Sequence, residues 1–280
     1  MKNKPLKTVV LYSSSHMGSM IALNKIVTMK CFDVVSVIRV SSIELNSRGI
    51  KKASRQLQKS GPVFLLMLIF QQLVQYAAMI SGFILRKNSA RILSSSELAI
   101  KYQFDLHNAE NINYPSTIEH LQRLKPDLII SAYFPQILKT EALNIARLGI
   151  LNIHPGYLPE YQGAMAYFWA ARNNSRWAGV SVHWMDEGID TGPLISRKKF
   201  KIDSKTSQDE ILVKTALIGS SLIKRIGRKL QKGKQLKIIK TERGKSVYYS
   251  IPDSKHFREY WKTRSFFSFA IIFRTILGKI

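Results

Sequence analysis

Short apolar runs recur along the chain, separated by stretches in which apolar residues return at helical spacing. Thr8–Tyr12, Phe32–Val40, Leu128–Ile130, Ile150–Ile153, Ala178–Met185 and Pro193–Ile202 are rich in Val, Ile and Leu and end at Ser, His-Pro or Asp, which predicts buried strands. Glu97–Gln103, Ser116–Leu124, Lys139–Arg147, Tyr161–Asn173 and Ser207–Leu230 read as helices. Ser116 with Glu119 three residues on predicts a capping box, and Gly149 a stop after Lys139–Arg147. Gly163, Ala164, Ala166, Ala170 and Ala171 suit a helix packed closely on a sheet, with Tyr167, Phe168 and Trp169 as core and cleft wall. Strands alternating with helices predict an α/β fold: a Rossmann-like, doubly wound, mainly parallel sheet with helices on both faces. Ligands of such sheets sit beyond the carboxyl ends of the strands, so the loop after Ile153 is where a site is expected.

One stretch breaks the pattern. Residues 62–85 contain no charged residue across 24 positions. As a helix they are about 36 Å long, enough to span a bilayer. Spanning is disfavoured, because strands before and after should share one sheet. Gln71, Gln72 and Gln75 also fall on one helical face. Three readings stay open: a helix in a membrane interface, a homodimer contact, or a helix packed on the chain's own core. The first is preferred, since a basic helical face (Ser42–Lys59) precedes the stretch. The expected division is residues 5–205 as the main domain, with an apolar helical insertion at 62–87, and 206–280 as a C-terminal helix with a basic aromatic tail.

Charge changes the picture at the C-terminal end. The chain carries a formal net charge of +25, and residues 224–280 hold 16 Lys/Arg against 3 Asp/Glu. Such a field attracts nucleic acid or an anionic membrane. The aromatics Trp261, Phe266, Phe267, Phe269 and Phe273 mixed with Arg258, Lys262, Arg274 and Lys279 suit a lipid interface over 257–280. An RNA partner is less expected, because residues 267–273 are more apolar than a base-stacking platform needs. The single cysteine, Cys31, excludes an internal disulfide and a Cys-based zinc site. Six scattered histidines without metal-ligand spacing predict no metal. The start of the chain shows an apolar run too short for a secretory signal, which points to a cytoplasmic protein, peripheral on the inner face of the cell membrane.

The candidate chemistry lies in residues 151–195. Asn152 and His154 are two apart, so on a strand they share one face. The turn Asp186-Glu187-Gly188-Ile189-Asp190-Thr191-Gly192 follows the next strand. If the two strand ends are neighbours, an amide, an imidazole and a carboxylate meet in one cleft. That set suits acyl transfer to an amine: Asn152 and protonated His154 donate to the oxyanion, and Asp190 sets the histidine's charge and takes the amine's proton.

Asn-x-His-Pro, a following Leu-Pro, a Gly-rich turn and Asp-x-Gly-x-Asp-Thr-Gly resemble the core of the formyltransferase family that uses 10-formyltetrahydrofolate. The resemblance covers roughly residues 90–203 well and the first 40 weakly, making 5–205 the catalytic domain. It implies Asn152, His154 and Asp190 as the catalytic set. The run Lys125–Leu138 resembles the segment lining the folate pocket, which with the acidic turn implicates Gln136, Ile137, Leu138, Met185, Asp186, Glu187, Gly188 and Ile189 in holding the donor. Gly18-Ser19 resembles a Gly-Ser that contacts substrate phosphate, and His183 joins the substrate-side candidates. One departure is Gly156-Tyr157, where many relatives carry Ser-Leu. The expected activity is formyl transfer from 10-formyltetrahydrofolate to a small-molecule primary amine, with an amino sugar (nucleotide- or lipid-linked) at a membrane surface preferred. Glycinamide ribonucleotide and methionyl-tRNA are the alternative acceptors; a non-catalytic membrane- or RNA-binding module is the alternative class.

Overall fold

The computed structural model describes residues 4–40, 47–84, 92–241 and 246–280. The expected positions 42–46 and 85–87 lie outside the described residues. In chain order the elements are β1 (Leu6–Ser13), α1 (Met17–Ile26), β2 (Phe32–Val40), α2 (Ser47–Ile84), α3 (Ser95–Tyr102), β3 (Asp105–Asn108), α4 (Pro115–Leu124), β4 (Leu128–Ala132), α5 (Thr140–Leu143), β5 (Ile150–His154), β6 (Gln162–Gly163), α6 (Ala166–Arg172), β7 (Trp177–Trp184), β8 (Leu194–Lys201), α7 (Gln208–Gln231), β9 (Tyr248–Tyr249), α8 (Ser254–Thr263) and α9 (Phe269–Ile276).

Seven strands form one sheet in the order β3-β2-β1-β4-β5-β7-β8. The first five in that order run parallel, and β7 and β8 are antiparallel additions. The alternation of side chains divides the core in two. Val10, Tyr12, Ile130, Leu151 and Ile153 face α1 and α7, while Val9, Leu11, Ile129 and Ile150 face Ile118 and Leu121 of α4 and Ala142 of α5. A central strand such as β1 is therefore apolar at successive positions because both its faces are covered. The expected doubly wound α/β architecture is the observed one.

Several local expectations change. α4 begins at Pro115, whose fixed φ suits the first helical position, so Ser116 sits inside the helix and cannot cap it. The capping box forms instead at Ser94 and Glu97, at the start of α3. α5 covers only Thr140–Leu143 of the expected 139–147 helix. The expected Tyr161–Asn173 helix starts later, behind a two-residue strand: Gln162 N–H and Ala164 N–H donate to the Val247 and Tyr249 carbonyls, which commits that backbone to β9 and delays α6 to Ala166.

The chain beyond residue 205 packs on the same core as the sheet. α7 lies against the sheet, and Phe257, Tyr260 and Phe266 of the tail are buried in the same core as β1 and α1. α2 breaks at Gly61 (φ 79°, ψ 179°), after which Pro62 opens its second part. That second part buries Met67, Gln71, Val74, Gln75 and Ala78 and exposes the opposite face. The C-terminal segment clasps both parts of α2: Ser60 Oγ of the first donates to the Pro252 carbonyl, Ser81 Oγ of the second to the Ile276 carbonyl, and the Phe70 and Phe267 ring centroids lie 4.2 Å apart. Strands before and after α2 share one sheet, which a single membrane crossing would separate.

Candidate active site

β5 and β7 run antiparallel with Asn152 opposite His183 and His154 opposite Ser181. Since Val180 and Val182 face the large core with Leu151 and Ile153, the intervening Asn152, His154, Ser181 and His183 share the other face. The turn after β7 returns Asp190 to this face. Its backbone is in the left-handed region (φ 56°), which Asp tolerates better than most residues.

Asp190 is the hub. Its Oδ1 accepts from Asn152 Nδ2 (3.3 Å) and lies 3.4 Å from His183 Nε2. Its Oδ2 accepts from the Gly163 N–H (2.9 Å) and lies 3.3 Å from His154 Nδ1. Gln162 Nε2 holds its backbone carbonyl at 3.1 Å. Burial by itself raises this carboxyl, but the charge of His154 and hydrogen bonds from His183 and Gly163 outweigh that and bring its pKa down to about 2. The group is therefore ionised in any physiological medium.

His154 is buried, with Nε2 2.6 Å from the Tyr161 carbonyl. A carbonyl only accepts, so Nε2 carries a proton, and Nδ1 faces a carboxylate. Full hydrogen bonding needs both nitrogens protonated. Burial pulls the His154 pKa down by more than the Asp190 charge and the Tyr161 carbonyl pull it up, so the ring is held below the usual histidine range. Both nitrogens of His154 are engaged, as are both N–H bonds of the Asn152 amide, so each of these donors reaches an oxyanion by exchanging one of its present partners. Gly156 makes this packing feasible, because a Cβ there would lie 2.5 Å from His154 Nε2 and 2.6 Å from the Tyr161 carbonyl. His183 Nδ1 lies 2.7 Å from the Trp184 carbonyl and so carries a proton, while its Nε2 lies 3.2 Å from Asn152 Nδ2 and 3.4 Å from Asp190 Oδ1.

The expected donor-binding residues form two walls. Gln136 ties both ends of its amide to the 110–112 loop, accepting from the Ile112 N–H and donating to the Glu110 carbonyl. Leu138 is buried beneath that loop and Ile137 is exposed. Across from them, the Met185 N–H donates to the Ile150 carbonyl, and Asp186 Oδ1 accepts from the Gly188 N–H and Thr191 Oγ1, setting the turn that exposes Ile189. Thr140 Oγ1 donates to Glu187 Oε1 and joins the two walls.

Gly18 and Ser19 depart from the expectation of substrate contact. Both are buried in the first turn of α1, and Ser19 Oγ accepts from the Ser13 N–H. Other loop amides are also engaged: Ser14 N–H with the Val40 carbonyl, His16 N–H with the Ser13 carbonyl. Gln72 and Gln75 of α2 donate to the Ser15 and Ser14 carbonyls and cover the loop. Sequence reasoning missed Tyr161, Gln162 and Gly163, because their role comes from backbone groups and from pairing with β9. It also missed the convergence of Asp105, His107 and His120 at the β3 edge. There the two rings stack at 4.2 Å with 13° between planes and His120 Nε2 lies 3.3 Å from Asp105 Oδ2. Stacked rings aim their lone pairs side by side, which fits a polar contact better than ligation of one ion.

Residues 72–226 match the family model described as formyl transferase. A methionyl-tRNA formyltransferase from Methylacidiphilum infernorum is 38% identical over 125 residues, 45% of this chain and 39% of that protein. The matched stretch thus spans less than half of that relative. Among solved structures, glycinamide ribonucleotide transformylase 1 from Symbiobacterium toebii superposes with a TM-score of 0.57 at 17% identity, over 85% of this chain and 95% of that one. An N-formyltransferase from Helicobacter canadensis, in complex with folinic acid and dTDP-3-aminofucose, also gives 0.57, at 19% identity over 88% of this chain and 71% of that one. These two likenesses concern the fold. The family model takes in more than half of the chain, including β5, β7 and the Asp190 turn, and the chain belongs to the formyl transferase family.

Proposed function

We propose that the protein moves a formyl group from 10-formyltetrahydrofolate to the primary amine of an amino sugar. The observation that carries the reading is the convergence of Asn152, His154 and His183 on the ionised Asp190. The acceptor amine attacks the formyl carbon, and the carbonyl oxygen becomes an oxyanion that the Asn152 amide stabilises. Asp190 takes a proton from the attacking nitrogen, directly or through water, with His154 holding its charge in place. The intermediate collapses, the bond from the formyl carbon to the donor nitrogen breaks, and that nitrogen receives a proton. The cleft between the 136–140 segment and the 185–189 turn holds the pterin.

Two observations support a sugar over a ribonucleotide. The β1–α1 loop, with the Ser13, Ser14 and His16 amides engaged and Gln72 and Gln75 over it, is a poor seat for a phosphate. A structural neighbour of the same fold was solved with an amino sugar on a nucleotide. The identity to a methionyl-tRNA formyltransferase keeps an aminoacyl-tRNA acceptor as the second reading. The test is a panel of nucleotide-linked amino sugars, glycinamide ribonucleotide and charged initiator tRNA, with tetrahydrofolate release and product mass as readouts. Amino sugars are expected to be formylated. Turnover confined to the tRNA or the ribonucleotide overturns the assignment.

A further inference from the structure

We propose that the outer faces of α2 and α9 form one docking surface for an anionic lipid bilayer. Leu66, Ile69, Leu73, Tyr76 and Ile80 alternate in steps of three and four, which aligns them in one stripe along α2. They are exposed: Leu66 by 61% and Leu73 by 60%. α9 lies alongside, joined through Ser81 and Ile276, and adds Phe269 (92% exposed) and Phe273 (63% exposed). Single exposed apolar residues are ordinary, but seven on two adjoining helices are a patch of the kind that marks an interaction surface.

The charges choose the occupant. No Asp, Glu, Lys or Arg interrupts residues 62–84. Around the stripe, Lys51, Arg55 and Lys59 are exposed on the first part of α2, and Lys262, Arg274 and Lys279 on the tail. Among the described residues the carboxylates nearby are already used, Glu259 by Arg172 at 2.6 Å and Asp253 by His256 at 2.6 Å. An apolar strip rimmed by unneutralised cations matches a bilayer, whose interior takes the apolar side chains and whose anionic headgroups take the rim. A second copy of the chain matches less well. The three–four spacing could seat a coiled coil, but no charges of opposite sign flank the seam, and pairing would bring two sets of cations together.

The inner face of the same helix covers the loop at the carboxyl end of β1, and β5 runs parallel in the same sheet with Asn152 and His154 at its own carboxyl end. A bilayer on α2 would thus lie along the edge of the sheet where the site is. That placement suits an acceptor sugar carried on a lipid and to that extent rests on the amino-sugar reading; the docking itself rests on the surface alone.

The test is flotation of the full chain with vesicles of phosphatidylcholine, with and without about a third of phosphatidylglycerol. Binding is expected with the anionic vesicles and about tenfold less with the neutral ones. Leu66→Gln with Leu73→Gln, and separately Phe269→Ser with Phe273→Ser, are each expected to weaken it about tenfold or more. Ile100→Gln, at an exposed position on α3, is expected to leave it unchanged. Circular dichroism and formyl transfer to a soluble amine check that each variant is folded, and a failure of the acceptor reading shows in the transfer assay without touching flotation. The proposal is overturned if the wild-type chain stays unbound at low salt, if neither apolar pair alters binding, or if those pairs instead split a dimer that ignores vesicles.

Discussion

Two polar layers lie at the carboxyl edge of the sheet, and they differ in how fully their groups are partnered. Around Asp190 the groups interlock, with Asn152, His154, His183, Gln162 and Gly163 all within 3.4 Å of it. Beneath α2, by contrast, His16 Nδ1, Gln71 Nε2, Gln75 Oε1 and Gln208 Oε1 are buried without a partner. A buried polar atom left unpaired costs about 1–3 kcal/mol, whereas a closed network defines one arrangement. The first layer is therefore rigid, as a site that must hold a transition state needs to be. The second is held mainly by apolar packing of Met67, Val74 and Ala78, and α2 is the element expected to loosen first.

The largest expected effect is at the hub. Asp190→Asn keeps the shape and removes the charge, and formyl transfer is expected to fall by about 1000-fold or more in a variant that still folds, with a lowered melting temperature because the ionised carboxylate stabilises the native state. Retention of activity within tenfold would remove the proton-handling role. Asn152→Ala is expected to lower kcat by about 100- to 1000-fold with a small change in KM, since the amide acts on the oxyanion. A KM effect alone would reassign it to binding.

Gly156→Ala tests whether the layer is as close-packed as it looks. The added Cβ meets His154 Nε2 and the Tyr161 carbonyl, and urea unfolding should show a loss of about 2–3 kcal/mol. A neutral outcome would mean that the Tyr161 carbonyl moves freely and does not fix His154.

Two buried carboxylates sharpen the contrast, because their surroundings move them in opposite directions. Asp190 is pulled down to about 2 by its partners. Asp209, near the start of α7, is pushed up to about 6 by burial, against hydrogen bonds from Ser207 and the Ser268 N–H. A carboxyl raised above its unfolded value binds its proton more tightly when native. Its contribution is thus present below about pH 4 and is lost as the pH rises through about 6. Two pKa units correspond to about 2–3 kcal/mol. Asp209→Asn should flatten the fall in stability between pH 4 and 6 seen by denaturant titration; an unchanged slope would contradict burial as the cause. Asp190 acts in the reverse sense, its contribution fading only as the pH drops from about 4 towards 2. The smallest effect belongs to the α2 layer. Gln71→Leu removes an unpartnered amide nitrogen and is expected to be neutral or to stabilise by about 1 kcal/mol. Gln162→Leu strips two bonds at the hub, from Gln162 to the Asp190 carbonyl and from Ser246 to Gln162, and is expected to destabilise by about 2 kcal/mol. Equal outcomes would erase the distinction between the layers.

Much of this molecule was readable as sequence, for a physical reason: strands buried on both faces must be apolar throughout, and side chains two apart on a strand must share a face. Those local rules were enough for the doubly wound sheet, for the shared face of Asn152 and His154, and for a turn delivering Asp190. Distance in sequence hid the rest. β6 exists only because β9, some eighty residues later, supplies its carbonyl partners, so a helix was expected over 161–173. The engagement of both His154 nitrogens, the covering of Ser14 and Ser15 by Gln72 and Gln75, and the packing of α7, Phe257, Tyr260 and Phe266 on the main core all depend on long-range contacts. Residue type limits what a side chain can do chemically; which of its atoms remain free to do it is decided by neighbours that only the folded chain brings near.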